Sequence, residues 1–272
     1  MDKSGLPAQL DRCVQYKWVF TKLKNPPCGI YIWKIASNIT IACVGLFSRF
    51  LLNYMNKNVC YNQDNLLKVL KKREKGVPLI TVSNHLSCFD DPGIWGCLNL
   101  SHFTNKNMRW SLAADNICFT NKFYSYFFML GKCVPVVRGA GVYQDAVNYC
   151  IEKLKHGEWL HIFPEGRVNV DKELIRFKWG IGRIIYDLPV TPIVVPIWHI
   201  GMEDILPNTR PYYFRIGKVM TLNFGPPIEV SELVKQLKCD KVNPERARLI
   251  ITSHIQENLM SLKAQTEKLL EV

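Results

Sequence analysis

The stretch that decides the fold is VPLITVSNHLSCFDDP, residues 77–92. Its first six residues are apolar or β-forming, which is typical of a strand buried on both faces of a parallel sheet. The pattern then breaks: His85 appears, and Asp90 follows five residues later. An imidazole and a carboxylate therefore stand just beyond a buried strand, where α/β sheets usually form their sites.

Other short apolar segments predict further strands. They cover residues 78–83, 108–113, 133–137, 159–163, 191–198, 213–216 and 220–224. Helical patterns lie between them, at 93–98 after the Asp91-Pro92 pair, at 142–154 before Gly157, and from Pro244 to the C-terminus. Strands that alternate with helices predict an α/β fold, with a mixed, mostly parallel central sheet flanked by helices.

Polar side chains follow three of the predicted strands. His85 follows the first, Arg138 follows CVPVV and Glu165 follows WLHIF. Because sites in such sheets form beyond the carboxyl ends of strands, we expect these residues to share one crevice.

His85 and Asp90 can form a catalytic pair. A neutral imidazole accepts a proton near pH 7, and a carboxylate on its other nitrogen fixes the tautomer. We expect Asp91 to cap the following helix and Asp90 to be the partner of His85. Ser87 is one candidate nucleophile, but no G-x-S-x-G elbow surrounds it, and the alternative is a substrate hydroxyl. A buried histidine bonded locally also explains this spacing.

The turn FPEGR, residues 163–167, is a candidate binding element. Glu165 suits a hydroxyl donor and Arg167 suits a phosphate, while Gly166 allows the turn between them. Arg138, followed by Gly139, is a second phosphate candidate, and Lys178 is a further cation. A plain loop also explains FPEGR, and a solvated helix face explains Lys178 equally well.

The composition limits the partners and cofactors. The 272 residues carry a formal net charge of +12, which favours an anionic partner. We find no recognition helix and no RNA-binding signature, so we expect an anionic membrane rather than nucleic acid. The ten cysteines form no C-x-x-C pair and no zinc spacing, so we expect no metal and no cofactor.

Residues 30–52 form an apolar segment with aromatic and cationic ends. Only fourteen uncharged residues separate Lys34 from Arg49, fewer than the ~20 that a spanning helix needs. We expect both cations to snorkel, and Tyr31, Trp33 and Tyr54 to lie at the membrane boundary. This predicts an interfacial or re-entrant anchor at about 30–50, within an N-terminal segment 1–56 that precedes a domain 57–272. A buried core helix is the alternative.

Four motifs in this order resemble the glycerolipid acyltransferase family. NHLSCFD, residues 84–90, resembles its NHxSxxD block, and three further blocks follow: VPVVRG (134–139), FPEGR (163–167) and VVPI (194–197). The resemblance implies His85 as general base and Asp90 as its orienting partner. It also implies that the glycerophosphate is bound by Arg138, Glu165, Gly166 and Arg167.

Longer stretches, among them MRWSLAADNICF (108–119) and RFKWGIGR (176–183), resemble one branch of this family. That branch implies a transacylase that moves acyl chains from phospholipid to lysophospholipid and remodels cardiolipin without coenzyme A. It also implies a monotopic protein of the mitochondrial outer and inner membranes, facing the intermembrane space. SLAADNICF stands where acyl-CoA-dependent relatives usually carry a lysine motif, which argues against a coenzyme A pocket.

Two alternatives stay open at this point. One is an acyl-CoA-dependent lysophospholipid acyltransferase that uses the same pair. The other is a non-catalytic basic module that binds the membrane. The sequence also leaves open whether the chain forms a homo-oligomer.

Overall fold

The fold is built on one twisted sheet of seven strands. A computed structural model describes residues 8–270. Within this range the strands are β1 (Lys57–Tyr61), β2 (Leu79–Ser83), β3 (Trp110–Ala114), β4 (Cys133–Val136), β5 (Trp159–Ile162), β6 (Ile193–Ile200) and β7 (Val219–Phe224). Their order is β1-β7-β6-β2-β5-β3-β4, and every pair is parallel except β6 with β7. The predicted mixed, mostly parallel sheet is confirmed.

Helices connect the strands and cover the sheet. They are α1 (Ala8–Gln15), α2 (Lys17–Lys24), α3 (Gly29–Asn53), α4 (Asp64–Lys72), α5 (Asp90–Trp95), α6 (Asp115–Cys118), α7 (Lys122–Leu130), α8 (Asp145–Lys155), α9 (Gly180–Asp187), α10 (Met202–Ile205), α11 (Ser231–Cys239) and α12 (Pro244–Leu270), with a 3-10 turn at Leu100–His102.

The sheet is buried on both faces by two separate apolar clusters. One cluster includes α8, α9 and α12, and the other includes α3, α4 and α5. Successive strand residues alternate between them: in β6, Val194 belongs to the first and Val195 to the second. This double coverage explains why the central strands are nearly continuous apolar runs. It also directs polar side chains to the strand ends.

Two strand assignments made from the sequence need correction. Residues 213–216 are not a strand: Phe214 packs its ring on Phe47 of α3 and Phe89, with centroids 5.5 and 4.9 Å apart. Conversely, β1 was missed because KNVCY is partly polar. It lies at the edge of the sheet and pairs with β7 alone, so it needs no apolar run.

Helix α3 presents one face to the domain and the other to solvent. Ser37, Ile41 and Leu52 are buried, and the helix packs on α5 and α7. The opposite face exposes large apolar side chains: Tyr31, Ile32, Ile35, Ile39, Leu46, Phe47, Phe50 and Tyr54. Among the described residues, α3 is the helix whose length and composition would let it cross a membrane.

Two side chains of this segment differ from expectation. Arg49 does not point freely to solvent but donates to the Leu98 carbonyl at 2.8 Å. Trp33 is half-buried and packs against Tyr126, with ring centroids 6.2 Å apart. Both contacts attach α3 to the domain.

Candidate active site

His85 and Asp90 are in direct contact in the loop after β2. The Nδ1 atom of His85 lies 2.8 Å from Asp90 Oδ2. Since the carboxylate is the acceptor, neutral His85 carries its proton on Nδ1, and Nε2 keeps a lone pair. Asp90 is fully buried, whereas the side chain of His85 is 17% exposed. The ring can therefore meet a substrate, and the carboxylate cannot.

Asp90 also organises the loop around His85. Its Oδ2 accepts the amides of Leu86 at 2.6 Å and Ser87 at 2.9 Å. Burial would raise the pKa of Asp90, but contacts with His199 and His85 outweigh it and hold that pKa well below its usual range. The carboxylate therefore stays ionised at neutral pH.

The expected capping role of Asp91 is wrong. The helix begins at Asp90 and ends at Trp95, instead of covering 93–98, and Phe89 precedes it without a side-chain cap. Asp91 instead accepts from Arg109, Ser111 and Trp95. The ion pair with Arg109 stabilises the protein more than a hydrogen bond from the same carboxylate to a helix end would. Asp90 is the partner of His85, as expected.

Aromatic stacking holds the imidazole in place from the other side. The ring of Phe163 lies parallel to that of His85, with centroids 4.1 Å apart and planes inclined by 20°. Phe163 directly follows β5, the neighbour of β2 in the sheet. The imidazole is therefore held from two strands. β2 leads directly into the loop that carries His85, and β5 leads into Phe163, whose ring stacks on it.

Glu165 joins the same site through the turn after β5. Its Oε1 accepts the His85 amide at 3.1 Å, and the Asn169 amide donates to the His85 carbonyl at 2.7 Å. Gly166 has φ +73°, which suits glycine and lets the chain reverse here. Burial raises the pKa of Glu165, and its Oε2 has no partner within residues 8–270. That oxygen is itself buried from solvent.

The expected arginines do not bond to the pair, although the charge of Arg138 acts on Cys88 in the His85 loop. Arg138 follows β4, three strands from β2, which is about 14 Å along the sheet. Arg138, Arg167 and Lys178 are all exposed. No hydrogen bond or ion pair in the described chain joins any of them to His85 or Asp90. The structure thus brings three predicted residues together, His85, Asp90 and Glu165, and leaves the cations around them.

His199 was not predicted from the sequence. This residue is fully buried near the end of β6, with Nε2 2.9 Å from the Asn84 carbonyl and 3.4 Å from Asp90 Oδ2. A lone histidine in the apolar run IVVPIWHI is usually a core residue. The signal that would have found it is the position of β6 beside β2, which only the sheet order reveals.

A cavity of about 160 Å³ adjoins the site. Its lining includes Asn84, Leu86 and Glu165 near the His85 loop, apolar residues such as Ile175 and Trp198, and several charged side chains. Its wall is thus mixed, with the carboxylate of Glu165 at the boundary between the cavity and the His85 loop.

Comparisons with known proteins agree with this geometry. The model of the family described as Acyltransferase matches residues 59–200. Tafazzin of Drosophila melanogaster is 53% identical over 93% of this chain, and the chain spans 66% of the length of that relative. N-acylphosphatidylethanolamine synthase of Arabidopsis thaliana is 44% identical over 72% of this chain and 71% of its own.

A solved structure shares the fold. The crystal structure of the 1-acyl-sn-glycerophosphate (LPA) acyltransferase PlsC from Thermotoga maritima aligns with a TM-score of 0.54 and 22% sequence identity. The alignment covers 94% of this chain and 87% of that one.

Proposed function

The chain belongs to the acyltransferase family, and from this premise we propose that it moves an acyl chain from a phospholipid to a lysophospholipid. Membership agrees with the four motifs found in the sequence. The observation that carries the proposal is the contact between His85 Nδ1 and Asp90 Oδ2, with the ring partly exposed and the carboxylate buried. This arrangement suits a general base that acts on an external hydroxyl.

The proposed reaction needs no enzyme nucleophile. His85 Nε2 accepts the proton of the lysophospholipid hydroxyl while that oxygen attacks the ester carbonyl of the donor. Asp90 stabilises the imidazolium that forms. The tetrahedral intermediate then collapses, and the departing alkoxide takes the proton back from Nε2. Since one ester replaces a similar ester, the reaction runs in both directions.

Ser87 is a poor alternative nucleophile. It is fully buried, and its hydroxyl donates to the Leu206 carbonyl at 2.8 Å and accepts the Phe89 amide at 3.2 Å. Both bonds hold the loop that carries Asp90. This supports the assignment of the attacking oxygen to the substrate.

We assign the glycerophosphate contacts to the residues around the pair. Glu165 would accept a glycerol hydroxyl at its unpaired Oε2, while its Oε1 accepts the His85 amide. Arg138 and Arg167 are exposed and cationic, which suits phosphate oxygens. Binding a lipid whose headgroup lies between them would complete the site without a metal or a cofactor.

We further propose that residues 1–56 anchor the domain 57–272 to one side of a membrane. The exposed apolar face of α3 is suited to lie in the interface, with its other face on the domain. The net charge of +12 favours an anionic, cardiolipin-rich surface. By likeness to tafazzin, we place the protein on the intermembrane-space side of mitochondrial membranes, where it would remodel cardiolipin.

Coenzyme A independence is part of the proposal, and acyl-CoA is its main competitor. The deciding experiment gives purified protein a lysophospholipid with either a chain-labelled phospholipid or labelled acyl-CoA as the sole donor. We expect label to move from the phospholipid in the absence of coenzyme A. Transfer only from acyl-CoA would refute the transacylase. Label found on the amine of phosphatidylethanolamine would instead favour the activity that names the Arabidopsis relative.

The role of His85 is tested in the same assay. His85→Ala should lower kcat by about 10²- to 10⁴-fold because it removes the general base. His156→Ala, at an exposed histidine after α8, is the matched control and should transfer normally. Normal transfer by folded His85→Ala would contradict the mechanism. Loss of transfer with retained vesicle binding would exclude a purely membrane-binding module.

A further inference from the structure

His199 occupies a position that the reaction described above does not use. Its Nε2 faces two acceptors, the Asn84 carbonyl at 2.9 Å and Asp90 Oδ2 at 3.4 Å. Because both atoms are acceptors, Nε2 carries a proton. Asp90 therefore lies between two imidazoles, that of His85 at the surface of the site and that of His199 in the interior.

The backbone of His199 is bound to the same loop. The Asn84 side chain donates from Nδ2 to the His199 carbonyl at 2.8 Å and accepts the His199 amide at Oδ1 at 3.0 Å. Both residues are almost completely buried. Three hydrogen bonds thus join His199 to Asn84, the residue directly before His85. This is more than β6 and β2 need to pair as strands.

We propose that His199 is a positioning residue for acyl transfer, which acts by holding the Asp90 carboxylate and the Asn84 carbonyl so that His85 keeps its working orientation. This rests on the proposed function of His85 as the base. Misplacing a catalytic group by about 1 Å can lower the rate by about 100-fold. Small shifts of the loop therefore suffice to reduce turnover.

The charges around His199 give a second consequence. The charged or titratable groups that interact with it are Asp90, Glu203, Glu165 and His161. Burial lowers the pKa of His199, but the Asp90 carboxylate, with the Asn84 carbonyl and Glu203, outweighs burial and raises it. His199 therefore shares the negative charge of Asp90 with His85. Without it, the Asp90 carboxylate loses one of its two imidazole partners.

The test compares two replacements of His199. His199→Gln keeps an N–H donor of similar reach, whereas His199→Leu removes the donor and keeps the site apolar. His156→Leu, at an exposed histidine, is the control. We expect His199→Leu to lose about 10- to 100-fold in kcat with little change in KM. Its pH profile of kcat/KM should differ from that of wild type because Asp90 has lost one imidazole partner, and His199→Gln should restore most of the rate.

A readout without substrate separates this inference from the proposed function. The ¹⁵N signals of the His85 ring, assigned by their loss in His85→Ala, report its tautomer and its titration. We expect them to change in His199→Leu and to stay close to wild type in His199→Gln. If the wild type transfers no acyl chain, the proposed function fails, and the ring signals still decide the coupling.

Two outcomes would overturn the inference. One is a folded His199→Leu with the wild-type rate, pH profile and ring signals. The other is an equal loss in both replacements that follows a lower melting temperature, with an unchanged pH profile. The second result would show that His199 only stabilises the fold.

Discussion

Arg109 forms a bidentate ion pair with Asp91: Nε donates to Oδ1 at 3.0 Å and Nη2 donates to Oδ2 at 2.5 Å. This ion pair joins the residue directly before β3 to the start of α5, one residue after Asp90. It holds the helix that carries the catalytic carboxylate, although neither residue touches His85.

Arg109→Leu should therefore destabilise the protein. It leaves the Asp91 carboxylate without its cation in a mostly buried place, which typically costs about 3–5 kcal/mol. Urea unfolding at neutral pH measures the loss. Arg246→Leu removes an exposed arginine of α12 and should change the free energy of unfolding by less than about 0.5 kcal/mol. Equal stability of the two variants would disprove a structural role for the ion pair.

The contact between α9 and α12 should tolerate no side chain at Gly182. A Cβ there would collide with the carbonyl oxygen of Arg248 and lie 2.6 Å from Thr252 Oγ1. Backbone cannot move aside cheaply, so we expect Gly182→Ala to lose about 1–3 kcal/mol in thermal or urea unfolding. Gly180→Ala, at the start of the same helix, meets nothing within 4 Å and should be neutral or slightly stabilising. The opposite ranking would be inconsistent with this packing.

The buried amine of Lys132 should make stability depend on pH. Burial lowers its pKa to about 8 from the ordinary 10.5, although Glu158 opposes this. Between these two values the unfolded lysine binds more proton than the folded one. The contribution of Lys132 to the free energy of unfolding therefore rises with pH across this window.

Urea unfolding below pH 8 and above pH 10 measures that rise, and the comparison with Lys132→Met isolates it. Lys132→Met should lack this part of the slope, whatever its overall stability. Lys235→Met, at an exposed lysine of α11, should keep the wild-type slope. If wild type and Lys132→Met have the same pH dependence, the amine does not titrate in this way.

Substitutions on the exposed face of α3 should weaken binding to vesicles and leave the stability of the fold unchanged. Ile35 and Ile39 are each 59% exposed there. Replacing either with Asp should lower partition into anionic vesicles by about tenfold or more, since burying one such side chain is worth about 1.5–3 kcal/mol. The melting temperature should stay unchanged. Ser253→Asp, which adds the same charge on α12, should bind normally, and equal binding by all three would refute the anchor.

Much of the fold follows from local patterns. Buried strands such as β2 and β5 are apolar on both faces, so they are visible as runs. Edge strand β1 lacks this signature because one side of it faces solvent. Residues 213–216 imitate a strand because exposed aromatic residues that pack on α3 have the same composition. The composition of a segment indicates whether it is buried and whether it favours extended structure, but not whether it pairs with another strand.

The candidate site divides in the same way. His85, Asp90 and Glu165 follow strand ends, and neighbouring strands bring their loops together. His199 is distant in sequence and looks like a core residue, so only the position of β6 beside β2 reveals it. Arg138 shows the converse: it follows a strand, but the sheet order keeps it three strands away. Spacing along the chain cannot give strand order.

The direct packing of α3 on the domain has a mechanical consequence. Gly96, just after the helix that begins with Asp90, approaches the backbone of Ser48 and the side chain of Leu52 so closely that a methyl group there would lie 3.1 Å from each. Because α3 packs directly on the segment after α5, a bilayer bound to the outer face of α3 would stay at a fixed distance from the imidazole of His85.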